Sequence, residues 1–199
     1  MRILAVSDLH DSKQQVEKLA QEAVDKDVDL VLIAGDLSEF GELSHGMIGP
    51  FLERGKKVAF VAGNHDMPGT AETIEEKYKI PDVQKHSVIY DDIGIFGCGG
   101  ANIVGMNFHT EDEISYYINA GYRYIKSAKK KILLTPIHPK GSIIEKSSFP
   151  GSKAVTKAIY ELKPDLHICG HIHEMEGFEE KMGKTKVICV GARGTIIDI

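Results

Sequence analysis

Four short runs of consecutive apolar residues, and a fifth that is interrupted only by His167, recur along the chain. A strand with apolar side chains on both faces is typical of a parallel sheet that is covered on both sides. Segments that can form helices follow several of the runs, and alternating strands and helices indicate an α/β fold. The five runs are residues 3–6, 30–34, 58–62, 132–134 and 166–169.

Helix-capping residues stand in the segments between these runs. A hydroxyl residue followed three positions later by Glu or Gln fits the capping box, and this pattern occurs twice. Two further hydroxyl residues precede apolar residues at helical spacing. The predicted capping residues are Ser12 with Gln15, Thr110 with Glu113, Thr70 and Ser152, and Pro50 is expected to open a short additional helix.

The middle and the end of the chain are richer in β-type patterns. Residues 87–96 fit a β-hairpin that turns at Asp91 and Asp92. Residues 176–181, 186–190 and 195–199 are expected to form a closing β-meander, because glycine-containing turns separate them. Since no repeat, linker or low-complexity segment divides the sequence, we predict that residues 1–199 form one domain.

Cysteine usage and charge restrict the compartment and the partners. The three cysteines, Cys98, Cys169 and Cys189, are odd in number and lack metal-type CxxC spacing, which favours reduced thiols. The sequence shows neither a signal-peptide pattern nor an apolar run of membrane-spanning length. We therefore predict a cytoplasmic protein without membrane attachment. The net charge of −5 disfavours a nucleic-acid partner.

A polar cluster follows each of the five apolar runs. In open α/β sheets, ligands bind at the carboxyl ends of the strands, where these clusters lie. The clusters contain carboxylate, imidazole and amide groups without a thiolate, which favours Mn²⁺, Fe or Zn²⁺ over a structural cysteine–zinc site. The candidate residues are Asp8, His10, Asp36, Asn64, His65, Asp66, His138, His171 and His173.

Spacing and charge indicate a site for two metal ions. Residues i and i+2 of an extended segment point to the same side, so Asp8 can act with His10. The same holds for His171 and His173, and the ligands suffice for two ions if Asp36 bridges them. Two divalent ions against two ligating carboxylates leave a surplus of about two positive charges, which suits a hydroxide and a phosphate ester.

A remaining pair next to the metal ligands is predicted to supply acid catalysis. His65 would protonate the leaving group of the ester. Its neighbour Asp66 is expected to orient the imidazole and to raise its pKa. The predicted reaction is thus an in-line attack of a metal-bridging hydroxide on phosphorus, with His65 as the acid.

The polar clusters, taken in order, resemble the signature of the calcineurin-like metallophosphoesterases. The resemblance implies a four-layer α/β/β/α sandwich of two mixed sheets flanked by helices, with a dinuclear centre. It also implies that His65 is the catalytic histidine. The matching segments are Asp8-x-His10, Gly35-Asp36, Gly63-Asn64-His65-Asp66, His138 and Gly170-His171-x-His173. The resemblance assigns Asp8, His10, Asp36 and His173 to one metal, and Asp36, Asn64, His138 and His171 to the other.

Two features of the sequence narrow the subgroup. The residues after Gly35-Asp36 differ from the Val-Asp-Arg-Gly continuation of the family's protein phosphatases, so a phosphoprotein phosphatase is not expected. The compact length and the glycines of segment 97–100 resemble small prokaryotic members related to phosphodiesterases.

We therefore predict a metal-dependent phosphoesterase that acts on a small phosphate ester. Two divalent ions are expected, with manganese favoured and iron, zinc, nickel or cobalt as alternatives. Phosphodiesters are favoured because a dianionic monoester usually requires an arginine clamp, for which Arg193 is the one candidate. Asn102 and His109 are further candidates for substrate contacts. The alternatives are a phosphomonoesterase for a small molecule or nucleotide, a nuclease of the same superfamily, and a non-catalytic scaffold.

Overall fold

The chain forms two β-sheets that lie face to face, with helices on their outer sides. We describe residues 1–103, 105–147 and 149–199 of a computed structural model. The strands are β1 (Arg2–Val6), β2 (Leu30–Ala34), β3 (Lys57–Val61), β4 (Val88–Tyr90), β5 (Ile93–Gly97), β6 (Lys130–Leu134), β7 (Leu166–Cys169), β8 (Glu179–Met182), β9 (Thr185–Cys189) and β10 (Thr195–Asp198). The helices are α1 (Lys13–Asp25), α2 (Gly49–Glu53), α3 (Thr70–Tyr78), α4 (Glu111–Tyr124) and α5 (Lys153–Leu162), with short 3₁₀ helices at Ile144–Ser147 and His173–Met175.

Both sheets are mixed. The smaller sheet has the order β10-β1-β2-β3, in which β1, β2 and β3 are parallel and β10 is antiparallel to β1. The larger sheet has the order β4-β5-β6-β7-β9-β8, with parallel strands in the centre and an antiparallel strand at each edge. Parallel strands end at the same edge of a sheet, so the polar clusters that follow them are brought together.

Three apolar clusters fill the spaces between the layers. One lies between the sheets and joins Ile3 and Leu32 to Ile95 and Ile168. The second packs the outer face of the smaller sheet against α1 to α3, and the third packs the larger sheet against α4 and α5. Because the central strands are buried on both faces, their sequences are mainly apolar. The fully buried His167 in β7 is an exception, and its Nε2 lies 2.8 Å from Thr135 Oγ1. The predicted α/β/β/α sandwich is confirmed.

The predicted helix caps are correct in part. Thr110 and Glu113 form a capping box at α4, and Ser152 Oγ accepts a hydrogen bond from the Val155 amide at α5. The capping box predicted at Ser12 and Gln15 is wrong. Ser12 precedes α1 without a side-chain capping bond, and Gln15 Nε2 donates to the Ala192 carbonyl at 2.6 Å. The cap predicted at Thr70 is also wrong, because Gly69 with φ 92° is the N-cap of α3.

The closing β-meander is only partly correct. Strands β8 and β9 form an antiparallel pair, as expected, but β10 leaves this sheet and pairs with β1 in the smaller one. This pairing satisfies the backbone groups along one side of β1 and places Ile197 between the two sheets. The predicted hairpin of residues 87–96 is confirmed as the β4–β5 pair.

No helix within the described ranges has the length and apolar character needed to cross a bilayer.

Asp82 predicts a measurable effect of pH on stability. Its carboxyl group is buried, and burial raises its pKa to about 6. The folded protein therefore keeps a proton between about pH 4 and 6 that the unfolded chain releases, so this group makes the protein less stable as pH rises through that window. Between pH 4 and 7, we expect the free energy of unfolding of the metal-free Asp82→Asn variant to rise by roughly 2 kcal/mol relative to that of wild type.

Urea unfolding of both proteins at several pH values measures this difference. If the difference in unfolding free energy between variant and wild type does not change with pH, the pH effect does not come from Asp82.

Candidate metal centre

The carboxyl ends of the parallel strands deliver the predicted site residues to one edge of the sandwich. Backbone and side-chain hydrogen bonds connect the successive loops. The His10 amide donates to the Asp36 carbonyl at 3.1 Å, and the His65 amide donates to Asp36 Oδ1 at 2.9 Å. The His171 amide donates to Asp8 Oδ2 at 3.1 Å, which ties the loop after β7 to the loop after β1.

Several residues of the site have backbone conformations that are rare for residues with a side chain. The φ angles are 54° at Asp8, 42° at His10, 51° at Asp36 and 72° at His171. Left-handed residues other than glycine carry a local conformational cost and occur preferentially at functional sites. The surrounding hydrogen bonds therefore hold these side chains in directions that the local backbone alone would not favour.

Two glycines permit the close approach of the loops. A Cβ atom on Gly63 would overlap Asp36 Oδ1, and a Cβ atom on Gly170 would overlap Ser7 Oγ. Only glycine can occupy such positions without moving the neighbouring loop. The glycines that precede Asn64 and His171 in the sequence thus serve the packing of the site.

Asp8, His10 and His173 form the first group of possible ligands. Their ligand atoms lie within 4.8 Å of one another. Asp8 Oδ1 is 3.4 Å from His173 Nε2 and 4.0 Å from His10 Nε2. Burial acts to raise the pKa of Asp8, but hydrogen bonds from His173 and Ser7 lower it overall. The same contact raises the pKa of His173. The group is therefore a carboxylate with two imidazoles directed at it.

Asp36 is a second carboxylate at the centre of the site. Its exposed fraction is only 2%. Burial, together with the charges of Asp8 and Asp66, raises the pKa of Asp36 to about 8. A buried carboxylate near two others is unfavourable in its charged form unless a cation compensates it. The charge distribution around Asp36 therefore suits a bound cation.

Asn64, His138 and His171 provide the second group. Among the described residues, Asn64 Oδ1, His138 Nδ1 and His171 Nε2 are buried and have no hydrogen-bond partner. Burial lowers the pKa of His138, and it lowers that of His171 to about 4, so both imidazoles are neutral at pH 7. His138 Nε2 donates to the Phe149 carbonyl at 3.1 Å, which leaves Nδ1 with a free lone pair.

This set of donors fits a divalent metal ion. Neutral imidazole nitrogens and amide oxygens are metal ligands, and buried polar atoms without a partner are rare unless a ligand satisfies them. Asn64 and His171 also share a cavity of about 360 Å³ with Asp36 and His173. Its walls are Asp36, Asn64, His65, Ile103, Phe149, His171, His173 and Glu174.

Glu39 is a site residue that the sequence reasoning missed. Its Oε2 lies 2.6 Å from His10 Nδ1, and its Oε1 lies 3.6 Å from His65 Nδ1. Glu39 belongs to an irregular loop, where no periodic pattern identifies the direction of a side chain. The signal available in the sequence is an acidic residue three positions after Asp36, at the carboxyl end of a buried strand.

Asp66 has a different role from the predicted one. Its carboxylate is fully buried and accepts hydrogen bonds from the Ser38 amide and hydroxyl and from the Gly63 and Leu37 amides, at 2.7 to 3.3 Å. The prediction that it orients His65 and raises its pKa is wrong. Burial, followed by the neighbouring His10, lowers the pKa of His65, and Glu39 is the carboxylate beside its ring. Asp66 instead ties the loops after β2 and β3 together.

Replacement of Asp66 is expected to destabilise the protein even without metal. The Asp66→Ala variant leaves four donors without their acceptor, and buried unsatisfied donors cost about 1–3 kcal/mol each before relaxation. After water and relaxation compensate some of them, we expect a loss of about 2–4 kcal/mol in the unfolding free energy of the metal-free protein. Denaturant unfolding measures it, with the exposed Asp112→Ala as control. Wild-type stability of Asp66→Ala would contradict the structural role.

In the loop that contains Asn102 and His109, residues 106 and 107 reach the site by their backbone. The amides of Met106 and Asn107 donate to the Asn64 carbonyl at 2.8 and 3.3 Å. The predicted substrate contacts in this loop point elsewhere. Asn102 Nδ2 donates to Glu111 Oε1 at 2.7 Å, at the start of α4, and the His109 ring packs against Tyr117 with the ring centroids 5.5 Å apart.

Arg193 is also engaged outside the site cavity. Its Nε lies 3.0 Å from Glu176 Oε2, and its amide donates to Glu176 Oε1 at 2.8 Å. The described residues that line the cavity do not include Asn102, His109 or Arg193. Ile103 and Phe149 do belong to its wall. The three predicted contacts therefore do not coincide with the cavity wall.

Comparison with known proteins places this geometry in a family. The family model for calcineurin-like phosphoesterases matches residues 1–175. None of the curated proteins matches the sequence significantly.

Solved structures share the fold at low sequence identity. The protein TT1561 of Thermus thermophilus is 20% identical, with a TM-score of 0.79 over 96% of this chain and 90% of that one. A dimetal phosphatase from Danio rerio is 10% identical, with a TM-score of 0.67 over 96% and 88%. An archaeal phosphodiesterase is 20% identical, with a TM-score of 0.55 over 96% and 84%. At these identities the likeness establishes the fold alone.

Proposed function

The chain belongs to the calcineurin-like phosphoesterase family, and on this premise we propose that it hydrolyses small phosphodiesters with two divalent metal ions. The observation that carries the proposal is a set of buried nitrogen and oxygen atoms that can ligate a metal and have no hydrogen-bond partner. They accompany two buried carboxylates. The free, buried thiols of Cys98, Cys169 and Cys189 support a reducing compartment, and we place the protein in the cytoplasm.

Two ligand groups would hold the ions. We assign the first to Asp8, His10, Asp36 and His173, and the second to Asp36, Asn64, His138 and His171. In this assignment Asp36 would serve both ions. When bound, the ions supply Lewis-acid activation of the phosphoryl group and of the attacking water. Manganese is the first candidate because all donors are nitrogen or oxygen atoms, and iron, zinc, nickel and cobalt are the alternatives.

His65 is the proposed acid for the leaving group. It lines the site cavity without belonging to either ligand group. Its Nδ1 faces Glu39, and its ring packs against Phe40 with the centroids 3.9 Å apart. These contacts orient the imidazole so that Nε2 is the atom that carries the proton to the leaving oxygen. Glu39 also counteracts the lowering of the His65 pKa by burial and by His10.

The cavity favours a monoanionic diester over a dianionic monoester. Its described wall contains no lysine or arginine, and Glu174 contributes a carboxylate. The arginine predicted to clamp a monoester is paired with Glu176. An additional negative charge on the phosphate would therefore find no cationic side chain in the described part of the cavity.

The test is hydrolysis of bis(p-nitrophenyl) phosphate and p-nitrophenyl phosphate by metal-stripped protein, with and without Mn²⁺. We expect turnover only with metal, and a kcat/KM at least about tenfold higher for the diester, which corresponds to about 1.4 kcal/mol of preference. Preference for the monoester would move the assignment to a phosphomonoesterase. Failure to bind metal would favour a scaffold.

A further inference from the structure

A second cavity, of about 520 Å³, is lined by segments that adjoin site residues in the sequence. Residues 42–45 and parts of 67–78 form its walls. These segments begin two residues after Phe40 and two residues after His65, so no more than ~7 Å of chain separates each from the site. Both follow the carboxyl ends of β2 and β3, which is the edge that carries the metal centre. The second cavity is therefore placed next to His65.

Phe40 lies two residues before the first wall segment of the second cavity, and its ring contacts that of His65. Its φ angle is 52°, and 52% of the residue is exposed. A bulky side chain in the left-handed region is conformationally unfavourable, and an exposed phenyl ring gives up the benefit of burial. Both penalties fall on a residue whose ring packs against the His65 imidazole. The ring is thus held beside the proposed acid, with about half of its surface open to a ligand.

The side chains of the second cavity combine apolar walls with hydrogen-bond donors. Met67 and Ile74 contribute apolar surface. Lys77 Nζ lies 3.0 Å from His45 Nδ1 and 5.1 Å from the centroid of the Tyr78 ring. An ammonium group can only donate, so His45 Nδ1 accepts this hydrogen bond, and the neutral ring carries its proton on Nε2. The cavity therefore offers N–H donors from both Lys77 and His45.

The charges of the second cavity select against a strongly anionic ligand. Glu42 lines the cavity together with Lys77, so the formal charges of its described wall cancel when His45 is neutral. Apolar walls with two N–H donors suit a neutral, planar group that carries hydrogen-bond acceptors.

We infer that Phe40 and the second cavity form a subsite for the leaving alcohol of the diester, and that this alcohol carries an aromatic ring with a hydrogen-bond acceptor. The inference rests on the proposed function, because an acid must reach the leaving oxygen that it protonates. A leaving group within reach of His65 Nε2 lies against the ring of Phe40. The remainder of the alcohol then extends toward Lys77 and His45.

Competitive inhibition of bis(p-nitrophenyl) phosphate hydrolysis tests the aromatic part. Dibenzyl phosphate and bis(cyclohexylmethyl) phosphate have the same charge and nearly the same size, but only the first is aromatic. We expect dibenzyl phosphate to inhibit about five- to tenfold more tightly. Phe40→Leu is expected to reduce the ratio of inhibition constants below about twofold, and Phe40→Trp to retain it. Equal constants in wild type, or an unchanged ratio in Phe40→Leu, would overturn the inference.

A second pair of inhibitors tests the donors. Bis(4-acetylbenzyl) phosphate carries an acceptor that its isostere bis(4-isopropylbenzyl) phosphate lacks. We expect the acetyl compound to bind at least about threefold more tightly, and Lys77→Met to abolish this advantage. The exposed Lys126→Met serves as the matched control and is expected to keep it. Loss of the advantage in both variants, or in neither, would overturn the role of Lys77.

The same assay distinguishes failure of the proposed function from failure of the subsite. Without metal-dependent turnover of bis(p-nitrophenyl) phosphate, the proposed function fails and the subsite fails with it. With turnover but equal inhibition constants, the subsite alone is overturned.

Discussion

Asp36→Asn is expected to abolish phosphodiesterase activity, with a decrease of at least about 10³-fold in kcat/KM, without unfolding the protein. Asparagine keeps the shape of the side chain and an oxygen that can accept the bond from the His65 amide. It removes the negative charge that we propose to be shared by both ions. Metal content after dialysis, measured by plasma mass spectrometry, is expected to fall together with activity.

The stability of this variant distinguishes loss of function from loss of fold. Burial and two neighbouring carboxylates raise the pKa of Asp36 to about 8, so its charged form is unfavourable in the metal-free protein. We therefore expect metal-free Asp36→Asn to be at least as stable as wild type at pH 8. Asp112→Asn, in the exposed first turn of α4, is the matched control. Wild-type activity and metal content in Asp36→Asn would contradict its bridging role.

His65→Gln is expected to reduce kcat by about 10²–10⁴-fold on diesters whose leaving group requires a proton. Nitrophenolate is a stable anion and leaves without protonation, so the loss on bis(p-nitrophenyl) phosphate is expected to be at least about tenfold smaller. Bis(2,2,2-trifluoroethyl) phosphate, followed by fluorine NMR, supplies the poorer leaving group. Metal content is expected to stay at the wild-type level because His65 belongs to neither ligand group.

His86→Gln replaces an exposed histidine and controls for the substitution itself. Equal losses on the two substrates would contradict acid catalysis by His65. A loss of bound metal in His65→Gln would instead identify this residue as a ligand.

The layers and the edge that carries the site follow from local sequence patterns. Strands that are buried on both faces are mainly apolar, and the carboxyl ends of parallel strands meet at one edge, so the polar clusters could be assigned to a common place. The reasoning from i and i+2 spacing reached the correct neighbours for another reason. Asp8 and His10 lie on left-handed rather than extended backbone. Their amides donate to the Gly35 and Asp36 carbonyls after β2, and these hydrogen bonds hold them there.

The parts that sequence patterns did not reveal depend on contacts between distant segments. Glu39 contacts His10 from an irregular loop, and Glu176, 17 residues before Arg193, forms an ion pair with it. The direction of the Asp66 side chain follows from the donors of residues 37, 38 and 63, which the order of the chain does not reveal. The position of β10 in the smaller sheet likewise depends on a distant contact, because β10 pairs with the edge of β1 that β2 does not cover.

The most direct test of the account is a titration of metal-stripped protein with Mn²⁺, in which bound metal and diester turnover are followed in the same samples. With a dinuclear centre, turnover is expected to rise with bound metal and to reach its plateau at two ions per chain. Full turnover with one ion per chain, or turnover in the absence of metal, would contradict the dinuclear centre.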